Sequence, residues 1–562
     1  MPKTASGQAR PAGPGTAASE DGGSAGPTGA RARLRAAAEN KLIPGLRRHG
    51  LLAALVLAGL VLRVLSLIAY RPALLYIDTL KYLYNAWPGA DPLGYSGPLK
   101  AILLVGNVET VAAVQHVVGL AMGVAIYAVL VRRGAARWLA ALAAAPVLLD
   151  AYELQIEQTI MPDVWFEALI VAGLVLLLWH RRLPAWSIAL AGIALGLSAT
   201  VAQIGEVLVL PAAVYVLIAI GGGWRRAIGG AALMCAAFAL PIVGYMSVSY
   251  AVTGHFWLSR SGTSTLYGRV AEAADCATLK LPAGERPLCP TVSQKALGPD
   301  GLEHAPSSPL NTYVAPLGAS QPDLVSAFSR AVITQQPMRV LSAYAANVVR
   351  LFAVHRVTSP GDTPISRWQF QTSYPTYQNY IRVSRGNVII VGLKLQDTPA
   401  AKYVYQPLDP SMGGPAMVIR PLAAFLRSYQ LNGGYTPGPV YLGATLVGLL
   451  GTLSLARRGQ RRGQPRGDKP RTARADPADR DLALACCLFF ITAVVILLAS
   501  DVPEFSWRYQ LPAIVTLPPA AVFGIAVILG RIRSRTSLRA AADSPAGPAV
   551  TPAAPGQATP AR

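Results

Sequence analysis

Charge is what this chain has least of. Only 14% of its 562 residues are charged, too few for the wetted surface of a soluble enzyme of this size. Acidic residues are the scarcer kind: 28 Asp and Glu stand against 50 Lys and Arg, a formal net charge of +22. An excess of that size suggests nucleic acid. The basic residues, however, fall in short clusters between apolar runs, which is the pattern of positive-inside membrane topology and not of a binding stripe. Nucleic acid is therefore not expected as a partner. The six histidines, His49, His116, His180, His255, His304 and His355, are scattered without the paired spacing of a zinc site. A glycine-rich nucleotide loop is missing, which argues against a nucleoside-diphosphate donor bound from the cytoplasm. Internal repeats of the kind that mark many transporters are also missing.

Cysteine is rare, with five in all. Cys235, Cys486 and Cys487 sit in apolar runs and read as inert. Cys276 and Cys289 share the polar stretch "DCATLKLPAGERPLCP". A disulfide closes that loop if it faces an oxidising compartment; a pair of free thiols is the alternative.

Hydrophobic residues fill the chain instead, at 52% of the total and a mean hydropathy of +0.39. Runs of about 20 apolar residues recur, each long enough to cross about 30 Å of hydrocarbon. The first follows about 50 residues without a cleavable signal and reads as a retained helix. The expected fold is an all-α polytopic membrane protein with about ten transmembrane helices and a mixed extracytoplasmic segment between helices 7 and 8. The runs lie near 50–70, 109–131, 136–150, 163–179, 184–201, 204–220, 227–249, 437–456, 481–500 and 510–530. The two at 136–150 and 163–179 are short enough to be partly re-entrant. With the N-terminus in the cytoplasm, the clusters Arg132-Arg133-Arg137, Arg181-Arg182, Arg225-Arg226, "RRGQRRGQPRGDKPRTAR" and "RIRSR" all fall inside. The expected organisation is a disordered basic cytoplasmic tail (1–48), a transmembrane catalytic core with two outer loops (49–249), an extracytoplasmic segment (250–436), C-terminal transmembrane helices with a basic loop (437–535) and a second tail (536–562). The expected site of action is the outer face of the cytoplasmic membrane.

That topology gathers the ionisable residues on one side. Asp78, Asp150, Glu153, Glu157, Asp163, Glu504 and Arg508 all stand at helix–loop junctions facing outward. Asp78, in "LLYIDTLKYLYNAWPGADPLGYSGP", is placed to orient and deprotonate a hydroxyl at the membrane surface; capping the short helix that follows is the plainer role. Tyr82, Tyr84, Tyr95 and Trp87 suit either the headgroup layer or contact with a substrate. Asp163, after Met161-Pro162, suits a helix start. Four acids in "DAYELQIEQTIMPDVWFEAL" beside an apolar surface are nevertheless costly without a partner or a task. Carboxylates of this kind can hold a hard divalent ion, though no motif specifies one. A membrane enzyme outside the cytoplasm takes its activated donor most naturally from a lipid phosphate, whose charge needs cations. Lys81, Lys100, Arg260, Arg269 and Arg508 are available. Arg63, within the first run, either snorkels to the headgroups or meets that phosphate. His116 and Glu109, on the second run, read as packing or cavity groups.

A first helix followed by an early Asp in "IDTLKYL", with a second loop ending "MPD", resembles the GT-C superfamily of glycosyltransferases. The likeness is to the actinobacterial, protein-mannosyltransferase-like and aminoarabinose-transferase-like membrane enzymes. It covers about 50–250, and "WRYQLP" at 507–512 resembles a late arginine-tyrosine element of actinobacterial relatives. The resemblance implies sugar transfer from a polyprenyl-phosphate donor to an envelope glycan, lipid or protein, with inversion. It implies Asp78 as the base and Asp163 or Glu157 as a second acid near the acceptor or a metal ion. Arg508, Lys81 or Arg63 would hold the leaving phosphate; Tyr82, Tyr95 and Glu153 would contact substrate. This chain departs from relatives that carry two adjacent acids, since Thr79 follows Asp78. It also has Ala202 and Gln203 in "SATVAQIGE", where many relatives place a basic residue. A lipid or polymer transporter and an inactive transferase-fold scaffold are the competing readings.

Overall fold

The computed structural model describes residues 48–76, 78–84, 92–259, 262–358, 361–375, 381–384, 387–390, 414, 416–462, 477–501 and 505–542. At Leu80, Tyr84, 381–384, 387–390, 456–462, 477–478 and 533–542 it describes the backbone alone. Two compact units divide the chain, Met1–Ala53 and Ala54–Arg562; the site lies wholly in the second.

The protein is a multi-pass membrane protein, mainly helical and with almost no sheet among the described residues. Each of the ten apolar runs is helical, and among the described residues six helices are long and apolar enough to cross a membrane: Gly50–Ala69, Val108–Arg132, Trp224–Thr253, Gly438–Leu455, Asp479–Ser500 and Pro512–Ile532. The expected run at 136–150 is half of a bent pair, Arg137–Leu149 and Ala151–Gln158, which meet at 47°. Two local features make the break. Pro146 lies inside the first helix, where it removes a backbone donor. Asp150 then caps the second, its Oδ1 accepting from Tyr152 N at 2.9 Å. The runs at 163–179 and 184–201 form helices of 17 residues each, Asp163–Trp179 and Ala185–Val201. The run at 204–220 opens as a tight 3₁₀ turn, Gln203–Leu208, before Val209–Ala219. Small residues bring the spans together: a Cβ on Gly196 would lie 2.1 Å from the Phe238 carbonyl oxygen of helix Trp224–Thr253, a contact only glycine permits.

The segment expected to be mixed is mainly helical where described. Gly262–Ala273 and Gln321–Gln335 pack through Tyr267, Val270, Phe328 and Val332, all buried. Cys276 and Cys289, joined as a disulfide, flank this core. Two small antiparallel pairings complete it. Ile381–Ser384 pairs with Asn387–Ile390, and Tyr70–Arg71, just past the first helix, pairs with Met417–Val418. The tails 1–47 and 543–562 lie outside the described residues.

Candidate active site

The loop after the first helix is held by the loop after the bent pair. Leu74 N donates to the Gln158 carbonyl at 2.9 Å, and Ile160 N donates to the Leu74 carbonyl at 3.0 Å. Thr79 Oγ1 donates to the Ile160 carbonyl at 2.9 Å and accepts from Tyr76 N at 2.9 Å. Two carboxylates are thereby brought to one place: Asp78, beside Thr79, and Asp163, which opens helix Asp163–Trp179. Arg508 stands between them. Its Nε donates to Asp163 Oδ1 at 2.7 Å and its Nη1 to Asp78 Oδ2 at 3.3 Å. Lys81 Nζ lies 3.4 Å from the other Asp78 oxygen. The Arg508 guanidinium packs against Trp368, Tyr509 and Tyr76, with 5.4, 5.4 and 6.0 Å to the ring centroids, in the range where a cation gains from a π face. Arg367 donates to the Tyr76 hydroxyl at 3.2 Å.

Exposure and charge give these groups different characters. The Asp78 side chain is 31% exposed and that of Arg508 only 9%, so Asp78 is the group an incoming molecule can reach. Burial pushes the Asp78 carboxyl up, but Lys81 and Arg508 together outweigh it and hold it below its ordinary value. Burial disfavours the Arg508 charge, yet Asp163, Tyr509 and Asp78 more than restore it. Burial, with Asp78 beside it, pushes the Tyr76 hydroxyl up against the pull of Arg367 and Arg508. Asp163 Oδ2 is buried and accepts no hydrogen bond among the described residues.

The remaining expected site residues lie elsewhere. Glu157 is fully buried, 2.5 Å from Arg63 and 2.7 Å from His116, and is not beside Asp78. Arg63 neither snorkels nor faces the site: besides Glu157 it donates to the Leu148 carbonyl at 2.8 Å and the Val147 carbonyl at 3.0 Å, satisfying the open end of helix Arg137–Leu149. Glu153 is buried next to Glu167 and presents no face to a substrate. Tyr82 and Tyr95 are buried edge to face, 5.2 Å between centroids, and Tyr95 donates to Gln115 at 2.8 Å; they brace the loop rather than offering a ring to a sugar. Asp150 pairs with Arg356 at 3.6 Å, and Arg269 with Glu272 at 3.0 Å. Lys100 is exposed on helix Ser96–Leu103. Trp87, Arg260, Glu504 and the Tyr84 side chain lie outside the described residues.

No group of three or more His, Cys, Asp or Glu among the described residues is arranged to hold a metal ion. Between Asp78 and Asp163 the position is filled by Arg508, so those two carboxylates as arranged do not fit a divalent cation.

Sequence reasoning missed Tyr76 and Trp368, whose rings pack at a tilt with centroids 4.8 Å apart across 292 positions of chain. Nothing local in the sequence ties these two together. It also missed the grip of His116 and Gln115 on residues 157–159, for which two adjacent polar residues in an apolar run were the available signal.

No family model matches the chain, and no curated protein matches it. Solved structures do, at low identity. A protein O-mannosyltransferase complex of S. cerevisiae bound to its sugar donor is similar at 17% identity and a TM-score of 0.30, covering 42% of this chain and 37% of that one. The Archaeoglobus fulgidus oligosaccharyltransferase in its apo form is similar at 11% identity and a TM-score of 0.38, covering 87% of this chain and 52% of that one. The same organism's oligosaccharyltransferase with an inhibitory peptide and a dolichol-phosphate gives 10% identity and a TM-score of 0.35, covering 88% and 52%. The chain thus spans about half or less of the length of the structures it matches. At these values the functional reading is left to the side chains.

Proposed function

We propose that this protein is a membrane glycosyltransferase of the GT-C kind. It moves a sugar from a polyprenyl-phosphate donor to an acceptor hydroxyl of the cell envelope, at the outer face of the cytoplasmic membrane. The observation that carries the reading is the reachable Asp78 carboxylate set against two cations, Lys81 and Arg508, directly after a lipid-length helix.

Each group has a chemical task in that reaction. The donor phosphate draws on Lys81 and Arg508, which stabilise the charge that develops as the bond from anomeric carbon to phosphate oxygen breaks. Their withdrawal from Asp78 raises its basicity at the moment a base is needed. Asp78 takes the acceptor hydroxyl proton while that oxygen bonds to the anomeric carbon. Polyprenyl phosphate leaves with the bonding pair. One displacement inverts the anomeric centre. Asp163 keeps Arg508 charged and aimed. The basic clusters between spans favour a cytoplasmic N-terminus, which puts this site outside; the acceptor is an envelope glycan, lipid or protein.

A transport reading would need charged groups lining an open path. Among the described residues, Arg63, Glu157, Glu153 and Glu167 lie within the helical bundle and are enclosed, which favours the enzyme.

The test uses purified protein in lipid with a panel of radiolabelled polyprenyl-phosphate sugars and an envelope acceptor extract. The expected result is transfer of label from one donor with an inverted anomeric linkage. Tight donor binding without transfer from any donor supports the inactive scaffold instead, and no binding supports transport.

A further inference from the structure

Behind the Asp78 cluster lies a buried group that the proposed reaction does not use. His116 sits on helix Val108–Arg132, with Nδ1 2.7 Å from Glu157 Oε2 and Nε2 2.8 Å from Gln158 Oε1. Both partners are fixed as acceptors. Glu157 binds Arg63 through its other oxygen at 2.5 Å, which keeps it a carboxylate. The Gln158 amide nitrogen donates to the Tyr70 carbonyl at 2.8 Å, so its oxygen must face the ring. A neutral imidazole has one donor nitrogen and one acceptor nitrogen. In this site a lone pair on either nitrogen would face an acceptor oxygen with no water between them: His116 is 2% exposed and Glu157 and Gln158 are 0% exposed.

We infer that His116 is held as an imidazolium donating from both ring nitrogens, and that in this form it positions residues 157–163 and, through them, Asp78. The contacts form a continuous chain. His116 and its neighbour Gln115 grip the same short stretch, Gln115 Nε2 donating to the carbonyls of Glu157 and Thr159 at 2.8 Å each. That stretch carries the Gln158–Leu74–Ile160 pairing and the Ile160–Thr79 bond. Thr79 adjoins Asp78, and Asp163 follows three residues after Ile160. Gly119, one turn beyond His116, makes the room: a Cβ there would lie 1.8 Å from Glu157 Oε1.

The surrounding charges are consistent with this form. Arg63 faces Glu157 from the first helix. Glu153 and Asp150 approach from the bent pair, and Glu167 and Asp163 from helix Asp163–Trp179. Glu153 and Glu167 face each other, and their carboxyl oxygens take no hydrogen bond from any other described residue.

The consequence for rate rests on Asp78 being the base; the protonation state and the coupling do not. The experiment therefore measures no transfer. Full-length protein in lipid, labelled with ¹⁵N-histidine, is examined by ring-nitrogen NMR at neutral pH. The signal removed by H116Q is expected to be that of an imidazolium with both nitrogens protonated. One protonated and one bare nitrogen overturns the inference. His116 is also the one buried histidine of the six, so slow exchange of its ring protons in D₂O identifies the signal even if H116Q does not fold. In folded H116Q, the Leu74 and Ile160 amides are expected to exchange about tenfold faster or more, with helix Val108–Arg132 unchanged. Unchanged exchange at both amides overturns the positioning role.

Discussion

Asp78, the proposed base, is restrained by its neighbours. Its carboxyl is desolvated, which alone would push it up, yet Lys81 and Arg508 hold it below 3.8. A carboxylate with a depressed pKa is ionised above that pKa and loses its charge only as pH falls through it. The acid limb of kcat/KM for the free enzyme is therefore expected below 3.8. Arg508→Ala leaves burial less opposed, and the acid limb of its residual rate is expected to move to higher pH; a limb that stays in place contradicts the pairing. Asp501 shows the opposite balance. Burial raises it to about 7 against Gln510, Arg269 and Arg350. Folded Asp501 thus holds a proton that the unfolded chain releases above 3.8. Its contribution to stability is complete below that value and is lost as pH rises through about 7. Asp501→Asn is expected to flatten this loss, so that between about pH 5 and about pH 8 its Tm falls less than that of the wild type; equal falls contradict the assignment. Asp78 was legible as a candidate because it is the first acid after the first span. The buried positions of Glu157, Glu153 and Arg63 were not, because the side of a helix they occupy depends on a bend the apolar pattern does not show.

Elements were legible as apolar runs, and each run is a helix. Their lengths were not. Pro146 and the Asp150 cap break one run at 47°, and a 3₁₀ turn shortens another; hydropathy averaged over a window blurs both. The break is functional in consequence, since it turns residues 158–163 back toward the loop carrying Asp78. Among the short helices beyond the spans, the Cys276–Cys289 link crosses a sequence separation of 13. Closing a loop of that size stabilises a fold by ~3 kcal/mol through the unfolded chain. Replacing both cysteines with serine is expected to speed amide exchange in Gly262–Ala273 and Gln321–Gln335 while leaving the spanning helices unchanged. Unaltered exchange there would show that the link does not support this core.

At the scale of the whole molecule, the site is assembled from three distant parts of the chain. Asp78 comes from the first loop, Asp163 from the second, and Arg508 from the turn before the last helix. The alternation of apolar runs and positive clusters led to the expectation that these parts share one side, and the structure brings them together. The aromatic support under Arg508 was not readable, because Trp368 belongs to a segment whose packing only the assembled fold defines. The most direct test compares wild type with Asp78→Asn, in lipid, for transfer from the one labelled polyprenyl-phosphate sugar that the wild type accepts. The substitution keeps the shape and removes the base. The expected result is a loss of about 10²-fold or more in kcat, within the range a positioned base supplies, with the protein folded and the donor still bound. Transfer by Asp78→Asn at the wild-type rate would contradict Asp78 as the base and, with it, the proposed reaction centre.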